Sequence, residues 1–243
     1  MIAHSPAGGM ESNSTASDLR VLIASAGSFG FILGCSTAGW QSAIENGQVL
    51  AGIIIYPPDH PFLWYCQMGW SLINQLSALL LCAGLSERVL TCLISGLLGM
   101  LSLQGLACII YSLSQRCSVA LLGSLFIYLI GWTGFGEIYA IHLTGESTFG
   151  ILGCSASVLC LGLMSCGALR SSLLILGALP CLHPSWGAYM WLLAAMVCLI
   201  RPGSAIHILK KHYPAFLAGL CILLISAASQ GWLSRSIPVT TEK

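Results

Sequence analysis

The chain has 243 residues, 56% of them hydrophobic, and a mean hydropathy of +0.87. Only 9 are Lys or Arg and 8 are Asp or Glu, 7% in all against about a quarter in a soluble domain, which excludes an ordinary water-soluble globule. The net charge of +1 leaves no electrostatic argument for a nucleic-acid partner.

A bilayer can hold such a chain. A helix of about 20 apolar residues satisfies its own backbone and can cross the hydrocarbon core. Leu, Ile, Ala and Gly fill the apolar runs without strand-like alternation. The expected fold is therefore all-α: a polytopic membrane bundle with about seven to eight apolar helices, some short or re-entrant. Membrane lipids are the expected partners, and a cell (inner) membrane with a cytoplasmic N-terminus is the expected location. Twelve Cys include no Cys-x-x-Cys pair and mostly lie inside apolar runs, where they act as small hydrophobes. No zinc site or redox pair is indicated, and the pattern specifies no cofactor.

Residues 1–20, rich in Ser, Gly, Asn and Ala, predict a disordered tail before a helical domain over 21–232 and a second tail over 233–243. Val21–Gly39 is the first span, read as a retained anchor. A long outer loop, 40–61, follows. It carries Glu45 near its start and Asp59 and His60 near its end, where Pro57, Pro58 and Pro61 stiffen the turn. Either carboxylate is a candidate general base at the membrane surface; the competing reading is a solvated loop with Asp59 as a helix N-cap.

Phe62–Gly84 is the second expected span. Gln67, Ser71, Asn74 and Gln75 share one face of it. Such a stripe either bonds neighbouring helices or lines a wet cavity. Val89–Ser112 carries Ser95, Gly99 and Ser102 on one face, where small residues let helices approach closely. Val119–Trp132 is short and ends in a Gly-rich stretch. Treating it as non-crossing puts Arg20, Arg88, Arg170, Arg201, Lys210 and Lys211 inside, with Arg116, Arg235 and Lys243 outside. Glu137, His142 and Glu146 then fall outside with Glu45, Asp59, His60 and His183. Glu137 and His142 do not share a helical face, and they give a weak acid/base or metal signal. Phe149–Leu169, Ser171–Leu182, Trp186–Ile200 and Pro214–Gly231 complete the apolar runs. Between two of them, His183-Pro184-Ser185-Trp186-Gly187 sets a lone His and a Trp at a turn. His183 can donate to a phosphate or bind a metal, whereas Trp186 suits either a site or an interfacial anchor.

The long first loop, Glu45-Asn-Gly-Gln-Val, Tyr56-Pro-Pro-Asp59-His-Pro, the Trp70–Gln75 helix and His183-Pro-Ser-Trp-Gly together resemble GT-C type polytopic membrane glycosyltransferases, over about 70 residues. The resemblance is to their membrane module: the chain is shorter than such enzymes and lacks their doubled acidic motif. It implies a lipid-linked (polyprenyl-phosphate) sugar donor and an acid of the first loop, Glu45 or Asp59, as base on the acceptor. His60, Gln67, Asn74, Gln75, Glu137, His142, His183 and Trp186 would be its substrate-binding set. Three other readings stay open: a transporter or channel component using the Gln67–Gln75 stripe, a metal-dependent hydrolase using His60, His142, His183 and Asp59, and a non-catalytic assembly subunit.

Overall fold

The computed structural model describes residues 8–132 and 148–237. Within them the chain is all-helical, with ten helices and no strand. They are α1 (Gly8–Ser36), α2 (Ser42–Leu50), α3 (Pro61–Met68), α4 (Leu72–Cys82), α5 (Glu87–Ser114), α6 (Cys117–Trp132), α7 (Phe149–Ser165), α8 (Leu169–Leu182), α9 (Pro184–Ile200) and α10 (Pro202–Ser236). Three segments are long and apolar enough to cross a membrane: Ser17–Ser36 of α1, Glu87–Ser114, and Pro202–Arg235 of α10. Leu192, Ile200, Leu224 and Trp232 are each 60–73% exposed, an apolar surface suited to lipid rather than water.

Among the described residues three apolar helices are long and five are shorter, and the other two of the ten, α2 and α3, arise for local reasons. The first loop folds its start into α2, and the expected second span divides at Gly69-Trp70-Ser71. Gly69 closes α3 by donating its N–H to the Tyr65 carbonyl at 2.6 Å. Ser71 is extended, and its hydroxyl donates to the Leu182 carbonyl at 2.8 Å. The Trp70 indole N–H reaches the Ser226 hydroxyl at 2.9 Å. Bonds to α8 and α10 thus compensate for an interrupted helix. At the termini, α1 already begins at Gly8 and α10 continues to Ser236, so helix extends into both stretches expected as tails.

Glycine sets how the long helices meet. On α1 and α5, a Cβ added to Gly30 would strike the Gly99 carbonyl, and one added to Gly99 would strike that of Gly30. One turn along, a Cβ on Gly34 would strike the Ser95 carbonyl. Backbone therefore lies on backbone. Such contacts associate helices in lipid, where apolar side chains gain little from leaving an equally apolar solvent. Gly105 with Gly162 does the same between α5 and α7, and Gly177 with Gly219 between α8 and α10.

These contacts fix which helix ends coincide. Gln104 donates to the Ile23 carbonyl at 3.1 Å and Cys35 to that of Cys92 at 3.2 Å, so α1 and α5 are antiparallel. Ser102–Ser155 (2.8 Å) and Cys166–Cys108 (3.0 Å) make α7 parallel to α5. Tyr111 packs with Ala120, and Tyr128 approaches Gly99, so α6 runs back along α5. One end of the bundle collects α2, α3, the start of α5, the start of α7 and the α8–α9 turn. Gln48 donating to Glu87 at 2.6 Å ties α2 to α5 there. The other end collects the α5–α6, α7–α8 and α9–α10 turns. Within the bundle α3 and α4 double back at one end, whereas Val119–Trp132, expected as a non-crossing piece, packs lengthwise against α5 as α6. Arg88 lies at the end of the bundle that holds Glu45, and Arg116 lies at the opposite end.

Gly99→Val should lower the melting temperature in detergent, at a cost of about 1–3 kcal/mol or more from overpacking. Gly203→Ala, where an added Cβ meets nothing within 4 Å, should leave it nearly unchanged.

Candidate functional site

At the α2–α3 end, a cleft of about 540 Å³ opens between two walls. One wall holds Trp40, Ser42, Glu45 and Asn46 at the start of α2, with Phe62 and Tyr65 of α3. The other holds Thr148 and Gly150 at the start of α7, with His183 from the α8–α9 turn. Glu45 is exposed in the first turn of α2, where a helix favours negative charge. Its Oε1 accepts the Trp40 indole N–H at 2.9 Å, which holds the carboxylate against an aromatic wall.

His183 is half-buried and ends one helix while starting the next. The Trp186 backbone N–H donates to its Nδ1 at 3.4 Å, so the neutral ring carries its proton on Nε2. Nε2 lies over Gly150 at ordinary van der Waals distance, 3.4 Å from where a Cβ would stand, and Gly153 makes the room for this residue, since a Cβ added there would come to 2.5 Å from the His183 Cβ. Burial lowers the His183 pKa below its ordinary 6.5, so the ring is neutral near pH 7.

The remaining candidates separate. Asp59 is exposed, and it is not a lining residue of this cleft. It does not cap α3 either: His60 does, its Nδ1 accepting from Phe62 N at 3.2 Å while its ring stacks on Tyr56 at 4.4 Å. Gln75 bridges helices. Its amide donates to the Ser226 carbonyl (2.9 Å) and to Gln230 (3.1 Å), and its Oε1 accepts from Ser226 (3.0 Å) and Ser229 (2.7 Å). The Gln67 carbonyl accepts from Gln230 at 3.1 Å. Asn74 is buried, and its Oδ1 lacks a hydrogen-bond partner, as does the hydroxyl of Ser77 one turn away. Trp186 packs its ring edge-on to Tyr189, and it also stands outside the cleft lining. Glu137, His142 and Glu146 lie outside the described residues. Among the described residues no three His, Cys, Asp or Glu side chains converge as metal ligands.

Sequence reasoning missed Trp40, Tyr65 and Thr148. Thr148 had a signal, a Thr just ahead of an apolar run, and it does occupy the N-cap position of α7.

No protein-family model matches this sequence, and no curated protein or solved structure is significantly similar to it.

The depressed pKa of His183 predicts a pH dependence. On acidification the unfolded chain takes up the proton first, so the fold should lose stability from about pH 6.5 downward, until His183 itself protonates. Thermal melts from pH 8 to 5 should show this slope, and His183→Gln should flatten it.

Proposed function

We propose that the chain is a multi-pass membrane enzyme whose acid–base site is the Glu45–His183 cleft. The observation that carries this reading is the convergence of these two groups, far apart in sequence, on one aromatic-walled opening. Apolar walls with a few polar groups suit a bound small molecule. The flat faces of Trp40, Phe62 and Tyr65 suit the C–H face of a sugar ring.

α1 and α5 to α10 are the proposed crossings, the shorter of them accommodated by local thinning of the bilayer. Arg20, Arg116, Arg170, Arg201, Lys210 and Lys211 belong to the end opposite the cleft, against Arg88 and Arg235 beside it. That bias supports a cytoplasmic basic end and a cleft on the outer surface.

The reaction that fits the cleft and the GT-C resemblance is sugar transfer from a polyprenyl-phosphate donor to a hydroxyl acceptor. Glu45 takes the acceptor's proton. The acceptor oxygen bonds to the anomeric carbon as the bond from that carbon to the phosphate oxygen breaks. Polyprenyl phosphate departs with the electron pair. The Nε2–H of His183 and the positive end of α7 stabilise the charge that develops on it. A path for transport along the second-span stripe is disfavoured, because the Gln75 amide is already engaged on α10.

The test is transfer of labelled hexose from a short-chain polyprenyl-phosphate donor to an alcohol acceptor by the purified protein in vesicles. Glu45→Gln should slow transfer by roughly 10²–10⁴-fold, the usual worth of a general base. Asp59→Asn should stay close to wild type. Wild-type turnover by Glu45→Gln, or no labelled product from the wild type, overturns the reading.

A further inference from the structure

A second cavity lies away from the cleft. It is an apolar groove of about 370 Å³ between α7, α8, α9 and α10. Met164, Leu176, Val197, Cys198, Ile208 and Phe216 are among its walls, and every lining residue is Leu, Ile, Val, Met, Ala, Cys or Phe. Its volume falls within the range of small-molecule sites.

The groove's position gives it meaning. Its walls come from the C-terminal half of α7, the first half of α8, the end of α9 and the start of α10, all at the basic end. Arg170 stands three residues before the lining Leu173, Arg201 three after Cys198, and Lys210 and Lys211 directly after Leu209. On a helix, such spacings keep a side chain within about one turn of its neighbour. All four cations are exposed. Residues 148–237 contain no Asp or Glu, so α7 to α10 offer them no carboxylate partner. At the same end, Asp18 belongs to α1 and sits beside Cys117 of α6. Counter-charge for these four cations therefore comes from outside α7 to α10, at the level where an apolar seat opens beside them.

We infer that this groove binds one anionic phospholipid, with an acyl chain between α7 and α10 and its phosphate on the rim of Arg170, Arg201, Lys210 and Lys211. The long Lys and Arg stems lie along the apolar wall and lift their charges to the headgroup level. A second copy of the chain would bring more cations to the rim, and a neutral lipid would leave the existing ones unanswered. The inference needs the membrane setting but not the chemistry of the cleft, so either can fail alone.

The test titrates the purified full-length protein in detergent with phosphatidylglycerol or phosphatidylcholine and counts retained lipid by native mass spectrometry. One phosphatidylglycerol should be held at least tenfold more tightly than phosphatidylcholine, and free glycerol 3-phosphate should not displace it. Arg201→Ala with Lys210→Ala should weaken the preference by roughly fivefold per charge removed. Ala194→Trp, which fills the groove and keeps every charge, should abolish retention. Arg235→Ala, at the opposite end, should change nothing. Equal binding of the two lipids by the wild type overturns the proposal without reliance on any variant. So does displacement by glycerol 3-phosphate, or wild-type retention by a folded Ala194→Trp protein, because headgroup attraction alone would then suffice.

Discussion

The close approach of α1 and α5 at Gly30 and Gly99 is the constraint on which the rest of the structure depends. Two backbones in contact leave no room for side chains between them, so the crossing has a fixed place and a fixed direction. Because α5 is antiparallel to α1, it must begin where α1 ends. About 42 Å long by its 28 residues, it then serves as the spine for α6 and α7. Every later helix inherits its sense from that pairing.

The same pairing means that the segment between them starts and finishes at one end of the bundle. A chain that leaves α1 and enters α5 at one end of the bundle has to turn back, and α2, α3 and α4 fill that turn. The cost of such a turn is polar backbone and amide groups at depth, tolerable where protein buries and bonds them. Ser71, Trp70 and Gln75 meet it with hydrogen bonds to α8 and α10. The price is uneven: Asn74 and Ser77 carry buried oxygens without partners, each a cost of about 1–3 kcal/mol. This folded-back unit also makes one wall of the cleft, so the device that closes the bundle carries Glu45 to the start of α7 and the turn at His183.

Much of this was legible in the sequence. Scarce charge anticipated helices long and apolar enough to cross a membrane, and the apolar runs located α1, α5, α7 and α10. The Ser95, Gly99 and Ser102 face proved to be a packing face, and His183 did mark a turn. What stayed hidden was long-range. Hydropathy cannot distinguish a crossing helix from two short helices that fold back, since Phe62–Gly84 is apolar either way. Lys and Arg counts could not decide either. Demoting the second segment instead of α6 exchanges Arg88 for Arg116 and leaves the bias equally strong. The partners of Gln75 lie more than 150 residues away, and no local pattern announces them. Asp59 and Glu45 looked equivalent as loop acids, and only the packing of α2 against the rest of the bundle separates them.

The central claim is that the chain turns back between α1 and α5. Epitope tags inserted singly at Gly84 and at Gln115, the turns before and after α5, test it most directly in intact cells against a tag in the Gly52 loop. The account predicts that the Gly84 tag is accessible from the same side as the Gly52 tag and that the Gln115 tag is accessible only from the other. A Gly84 tag on the side opposite Gly52, with Gln115 on the same side as Gly52, would mean that the second segment crosses, and would contradict the account.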